Sequence, residues 1–250
     1  MNTSFKTILA IIDRVVVSAT ITNTLFRESD DISDEDRQAL ETWAGKPLEQ
    51  VRAILTPIYG KRHIASDPFA DKSNTLTAAL VFWRYEDQLT PDIFYSVENS
   101  DYGQIIIAST TKGVCYLVFF SGDEAKVPGI LQKEFPGSAI VKEKNGHIRS
   151  ALDYLLGQPT GQVHLHIKGA ADHLPIWQAL TRVPAGKLVS YGTLAKATHR
   201  MAQDIGVAMG DNRLAILIPC HRVIKSTGEL GQYHWGAKRK QAMIIKEAVV

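Results

Sequence analysis

Ile216-Leu217-Ile218-Pro219-Cys220-His221-Arg222-Val223-Ile224 is the stretch that decides how this chain is read. Apolar residues bracket a polar Pro-Cys-His-Arg centre. A thiol with His221 and Arg222 beside it in the chain has electropositive neighbours, which favour the thiolate and predict a lowered thiol pKa. Adjacent residues need not face each other, so a working Cys–His pair is an expectation to be met by the fold. The other cysteine, Cys115, sits in Gly113-Val114-Cys115-Tyr116-Leu117-Val118-Phe119, an apolar strand-like run, and reads as a small buried core residue.

The bulk numbers narrow the classes. The chain has 250 residues, 45% hydrophobic and 22% charged, enough for a sizeable buried core. Two cysteines are too few for a disulfide framework or a four-thiolate zinc site; separately, neither a metal nor a cofactor is expected. No apolar run reaches the ~18 residues of a membrane span. The apolar patch 8–17 is broken by Asp13 and Arg14 and reads as a core helix, not an export signal. A reducing, cytoplasmic setting follows as the expectation. The net charge of +2 is unevenly spread. Residues 168–250 hold twelve Lys/Arg against five Asp/Glu, a balance of +7, and residues 1–167 balance at −5. A basic carboxy-terminal third fits an anionic partner, although a basic face is often only solvated.

Patterning divides the chain in three, an α+β architecture. Residues 1–88 read as mostly helical. Ser33 caps a helix with acids in its first turn, Gly45 ends it, and Pro47 opens the next; residues 60–74 read as a loop. Residues 89–167 read as a small antiparallel sheet with a helix. The β-branched runs 104–108 and 114–120, split by Thr111-Lys112-Gly113, form a hairpin, and 148–156 has helical spacing. Val163-His164-Leu165-His166-Ile167 alternates as a half-exposed strand with both histidines on one solvent-facing side. Residues 168–250 carry short helices: 174–182 around Trp177, one capped by Ser190, a break near His199, and one over 202–209. The last two form a helix-turn-helix candidate of winged type.

Residues 218–224 resemble the active-site signature of the 6-O-alkylguanine-DNA alkyltransferases. Val183-Pro184-Ala185-Gly186-Lys187-Leu188-Val189-Ser190-Tyr191-Gly192 resembles the entry to that family's helix-turn-helix. Asn212 falls at its asparagine before the signature. Gly231-Gln232-Tyr233-His234-Trp235-Gly236 resembles its active-site loop, and residues 240–247 its closing helix. Residues 89–167 resemble its sheet domain more loosely. The resemblance implies a monomeric repair protein acting on double-stranded DNA that contains 6-O-alkylguanine. Cys220 would be the nucleophile, His221 its base through a water, and Glu247 the group that orients the imidazole. Asn212 would hold the loop, and Tyr191 would donate to the departing guanine. Val223, Tyr233, Trp235 and Arg222 would bind substrate, Trp235 narrowing the pocket toward methyl over benzyl. The thioether product resists water, so each molecule would act once.

Two positions depart from the family pattern. Gln203 stands where an arginine usually fills the gap left by the extruded base, with Asp204 beside it. Gly169-Ala170-Ala171-Asp172-His173 replaces the usual Phe-Gln pair. Within 1–88, Trp43-Ala44-Gly45-Lys46-Pro47 and Leu55-Thr56-Pro57-Ile58-Tyr59-Gly60-Lys61 faintly resemble half of an AraC-type DNA-binding domain. The alternative to catalysis is a binding module that grips alkylated DNA and recruits other factors; a regulator working through 1–88 is a third option. Cys220 separates the first two, because such modules typically replace it. Replacing Cys220 by Ala is expected to abolish alkyl uptake from methylated duplex DNA, while Cys115→Ala retains it. A folded Cys115→Ala protein as inert as Cys220→Ala would contradict the assignment.

Overall fold

The computed structural model describes residues 4–21, 32–65, 80–86 and 90–248. Helix α1 (Phe5–Ile21) takes up the apolar patch, with Ile8, Ile11, Ile12 and Val15 buried along one stripe. Helices α2 (Asp34–Ala44), α3 (Leu48–Ile54) and α4 (Pro57–His63) follow. Ser33 caps α2 by accepting from the Asp36 N–H, and Gly45 ends it in the left-handed conformation at φ 67°. Pro47 stands at the N-cap of α3, one place before the first turn expected for it. Residues 60–63, expected as loop, complete α4, because Thr56 caps this helix by accepting from the Tyr59 N–H. The rest of the expected loop, from 66, lies outside the described residues.

A six-stranded sheet forms the centre, built from β1 (Leu80–Arg84), β2 (Ile93–Ser100), β3 (Gly103–Ser109), β4 (Val114–Phe119), β5 (Ile140–Lys142) and β6 (Val163–Ile167) in the order β1-β6-β4-β3-β2-β5. The β3–β4 hairpin is present, with an irregularity between Ala108 and Ser109. The sheet is mixed, not purely antiparallel: β1 pairs parallel with β6, β6 with β4, and β2 with β5. Strand β1 also falls inside the segment expected to be mostly helical. Parallel partners far apart in sequence leave no local turn signal.

Both faces of the sheet are covered, and the period of two shows it. Ile105 and Ile107 of β3 join the core beneath α6 (Gly146–Leu155) and the carboxy-terminal helices, while Ile106 and Ala108 join the core under α5 (Val127–Glu134). Cys115 is buried in that second core, where desolvation pushes its thiol pKa far up and leaves it inert. His164 and His166 share a face of β6, but His166 is only 1% exposed, contrary to the solvent-facing expectation. Its Nδ1 lies 2.8 Å from the Thr110 hydroxyl, and burial pushes its pKa down.

Carboxy-terminal to the sheet come α7 (Leu174–Thr181), β7 (Val189–Ser190), α8 (Tyr191–Thr198), α9 (Ala202–Asp211), a 3-10 turn at Cys220–Arg222, β8 (Val223–Ile224) and α10 (Ala237–Glu247). Ser190 caps α8 through the Thr193 N–H, and His199 breaks the chain in the left-handed region at φ 54° before α9 begins. Strands β7 and β8 pair parallel. The edge of β4 holds the segment before the 3-10 turn: Leu117 N–H donates to Arg213 O at 2.8 Å and Ala215 N–H to Leu117 O at 2.7 Å. Among the described residues no helix is long and apolar enough to cross a membrane.

The amino-terminal helices pack onto the far side of α10. Ile8, Ile11, Ile12, Val51 and Ile54 form one core with Leu188, Ile224, Ala242 and Ile245. Leu188 N–H donates to His63 O at 3.1 Å, and Ala65 N–H returns to Leu188 O at 2.9 Å. Gly60 of α4 lies so close to the turn at Gly228 that an added Cβ would come within 2.0 Å of Gly228 O. Gly60→Ala is therefore expected to destabilise the protein by about 1–3 kcal/mol, as overpacking does. Urea denaturation checks this, and an unchanged midpoint would show that α4 does not bear on the carboxy-terminal segment.

Candidate active site

Cys220 opens the 3-10 turn and is 4% exposed. The loop before it is strained, since Ile216, a β-branched residue, sits at φ 69°. Asn212, fully buried at the end of α9, holds that loop from within. Its Nδ2 donates to Ile218 O at 3.0 Å and to Cys220 Sγ at 3.1 Å, and its Oδ1 accepts from Leu214 N–H at 2.8 Å. One side chain thus satisfies both sides of the turn and touches the sulfur. Strain of this kind persists only where surrounding contacts over-determine the backbone.

His221 is fully buried, and its Nε2 lies 2.9 Å from Glu247 Oε1. The facing carboxylate selects the tautomer with the proton on Nε2, leaving Nδ1 as the acceptor. Nδ1 is buried without a hydrogen-bond partner among the described residues. Burial pushes the imidazole pKa down against the upward pull of Glu247, so the ring is neutral. Arg222 donates to Glu247 twice, Nε to Oε2 at 2.9 Å and Nη2 to Oε1 at 2.8 Å, and its Nη1 donates to Val183 O at 2.5 Å. Burial would raise the Glu247 carboxyl, but Arg222 and His221 outweigh it and hold the group well below the usual carboxylate range.

These contacts correct the expected thiolate. Burial pushes the Cys220 thiol up to about 11. Arg222 is neutralised by Glu247 and His221 is uncharged, so neither gives the sulfur a positive neighbour. The pull downward comes from Asn212, from Lys240 and from the Tyr233 hydroxyl. Lys240 was not singled out in the sequence. It is 1% exposed, its Nζ donates to Val223 O at 2.6 Å and Gln232 O at 3.4 Å, and burial lowers its pKa to about 8. Its signal was faint: a lysine among apolar residues on the buried stripe of α10.

The structure brings Cys220, His221, Asn212, Val223, Tyr233 and Glu247 together. The Tyr233 ring centroid lies 6.5 Å from that of His221 and 5.2 Å from that of Trp235. Tyr191, at the start of α8, is half-buried, and burial with the nearby Cys220 raises its pKa, keeping the phenol a donor. Arg222 braces Glu247 and the Val183 carbonyl. Gln203 stands apart, exposed in the first turn of α9, while Asn212 lies at the other end of that helix, about 13 Å away at 1.5 Å per residue. Asp204 caps α9 by accepting from Met201 N–H at 3.0 Å, so its charge faces the positive helix end.

Residues 173–249 match a family model described as 6-O-methylguanine DNA methyltransferase, DNA binding domain. The regulatory protein ada of Salmonella typhimurium is 28% identical over 241 residues, covering 90% of this chain and 65% of that protein, so the chain spans about two thirds of that relative. The inducible methylated-DNA–protein-cysteine methyltransferase of Bacillus subtilis is 30% identical over 166 residues, covering 63% of this chain and 91% of that protein. A crystal structure of Mycobacterium tuberculosis OGT in complex with DNA matches at 26% identity with a TM-score of 0.48, covering 60% of this chain and 90% of that one.

A thiol with a pKa near 11 reacts only through its thiolate fraction, which rises about tenfold per pH unit below the pKa. Alkylation of Cys220 by iodoacetamide is expected to climb steadily from pH 7 to pH 9. Lys240→Met is expected to slow it most below pH 8, where Lys240 still carries its charge, and little at pH 9. A plateau below pH 8 in the unaltered protein would contradict the site electrostatics.

Proposed function

The chain belongs to the methylated-DNA–protein-cysteine methyltransferase family, and from that premise we propose that it repairs alkylated duplex DNA by moving the alkyl group from the 6-oxygen of guanine to Cys220. The observation that carries this is a buried thiol held at 3.1 Å by Asn212 beside a His221–Glu247 pair at 2.9 Å.

The damaged base, extruded from the duplex, brings its alkyl carbon to Cys220. Sγ attacks that carbon, the carbon–oxygen bond breaks, and the electron pair leaves with guanine. The thiol proton passes through a water to His221 at Nδ1, the nitrogen without a protein partner among the described residues. Glu247 balances the imidazolium that forms, the role of the carboxylate in hydrolytic triads. Lys240 stabilises the thiolate as it appears. Tyr191, held protonated, donates to the departing guanine, and Val223, Tyr233 and Trp235 surround the base. A thiol kept protonated in the free protein limits stray oxidation and alkylation. The resulting thioether leaves no route for water to restore Cys220, so each chain acts once.

The helix pair α8–α9 and the basic carboxy-terminal third support binding to duplex DNA, and counterion release makes such binding fall with salt. A reading as a non-catalytic binder is disfavoured because the nucleophile is present and seated among its partners. Incubation with a 6-O-methylguanine duplex followed by peptide mass spectrometry tests the proposal: a single methyl on the Cys220 peptide is expected, and DNA binding without any mass shift would refute transfer. Gln203 lacks the charge and wide plane of arginine. Gln203→Arg is therefore expected to speed transfer from duplex DNA by roughly tenfold, a change of about 1.4 kcal/mol, and to leave reaction with free 6-O-methylguanine nearly unchanged. Equal rates on duplex DNA would show that another residue fills the gap.

A further inference from the structure

The loop 231–236 has a glycine at each end in the left-handed half of conformational space, Gly231 at φ 69° and Gly236 at φ 99°. Glycine adopts such angles without steric cost, and the segment between them is held by the side chains it meets. That segment carries Tyr233, which reaches Cys220 and donates to Met243 Sδ at 3.6 Å, and Trp235, whose ring backs Tyr233 at 5.2 Å. The position of the indole therefore bears on the space beside the sulfur.

Arg239, in the first turn of α10, restrains this loop. Its Nη1 donates to Trp235 O at 2.8 Å and its Nε donates to Tyr102 O at 3.2 Å, in the turn between β2 and β3. Its guanidinium lies 4.4 Å over the Phe119 ring and 5.7 Å from the Phe5 ring of α1. Trp235 packs edge-on against Phe119 at 5.9 Å. One planar side chain thus ties the loop to the sheet and to the amino-terminal helix, and shares Phe119 with the indole it holds. Its hydrogen bonds go to the loop and the sheet turn, not to Cys220, His221 or Glu247. Lysine could not replace it, since only the guanidinium offers donors in two fixed directions together with a stacking face.

We propose that Arg239 is a positioning residue that clasps Trp235 against Phe119 and thereby limits the size of the carbon group that reaches Cys220, admitting methyl and hindering benzyl. The proposal deepens the alkyl-transfer reading and rests on it for the natural substrate, while the size limit itself is a property of the loop. Alkyl halides test the limit without DNA. The Cys220 thiolate displaces halide from iodomethane or benzyl bromide: the sulfur–carbon bond forms, the carbon–halogen bond breaks, halide leaves with the electron pair, and the thiol proton goes to solvent.

The full chain is treated with each reagent, and the rates are read on the Cys220 peptide by mass spectrometry. Arg239→Met is expected to raise the benzyl-to-methyl rate ratio about tenfold, and Trp235→Ala to raise it as much. The double variant should add little to either, because both changes remove one restraint. Arg239→Lys, which keeps the charge and most of the packing, should fall between and guards against a methionine variant that fails to fold. A folded Arg239→Met or Arg239→Lys protein whose ratio stays within twofold of the original would overturn the proposal. So would equal changes in both rates, or a double variant that multiplies the single effects. If unaltered protein takes no methyl from methylated DNA while the halide ratios still shift, the repair reading fails and the clasp stands.

Discussion

The carboxylate of Glu247 is the interaction on which the rest of the site depends. It accepts from Arg222 twice and meets His221, all between 2.8 and 2.9 Å. A buried carboxylate without such partners would cost several kcal/mol, and the Arg222 cation alone would be a comparable liability. Together they form a neutral unit that ties α10 to the 3-10 turn bearing Cys220, and Arg222 extends it to Val183 at the entry to the helix pair. The same contacts fix the imidazole tautomer and strip Arg222 of influence over the sulfur. The site is thus wired for a proton acceptor beside a protonated thiol.

Asn212 supplies the second constraint. It closes α9 and grips the strained turn at Ile216 from inside, so hydrogen bonds tie the helix that displays Gln203 to the loop that displays Cys220.

Much of this was legible in the sequence where chemistry is local. Pro219-Cys220-His221-Arg222, the Ser190 cap and the break at His199 all lie within a few residues of the groups they act on. The β3–β4 hairpin was legible for the same reason. The depth of burial was not. The sequence placed two cationic residues next to Cys220 and so implied a lowered thiol pKa, whereas burial raises it and Glu247 takes up Arg222. Lys240 went unremarked because it meets the sulfur only once α10 folds across β8. The parallel pairings of β1, β5 and β6, and the burial of His166, likewise depend on partners that are distant in the chain. The amino-terminal helices were assigned as helices from caps and periodicity, but their docking on α10 through Ile8, Ile12, Val51 and Ile245 could be found only in three dimensions.

That docking leaves α10 covered on one side by the amino-terminal core while its other side sends Glu247 to His221 and Arg222 and Lys240 to the Val223 carbonyl. Cys220 is the thiol seated among these partners, whereas Cys115 lies in the separate core under α5. The most direct measurement is the number of methyl groups retained per chain when the protein meets a large excess of 6-O-methylguanine duplex. A rapid rise to about one per chain, located on Cys220, is expected, with no further release of unmodified guanine sites. Continued turnover beyond one, or a retained count near zero with DNA bound, would contradict it.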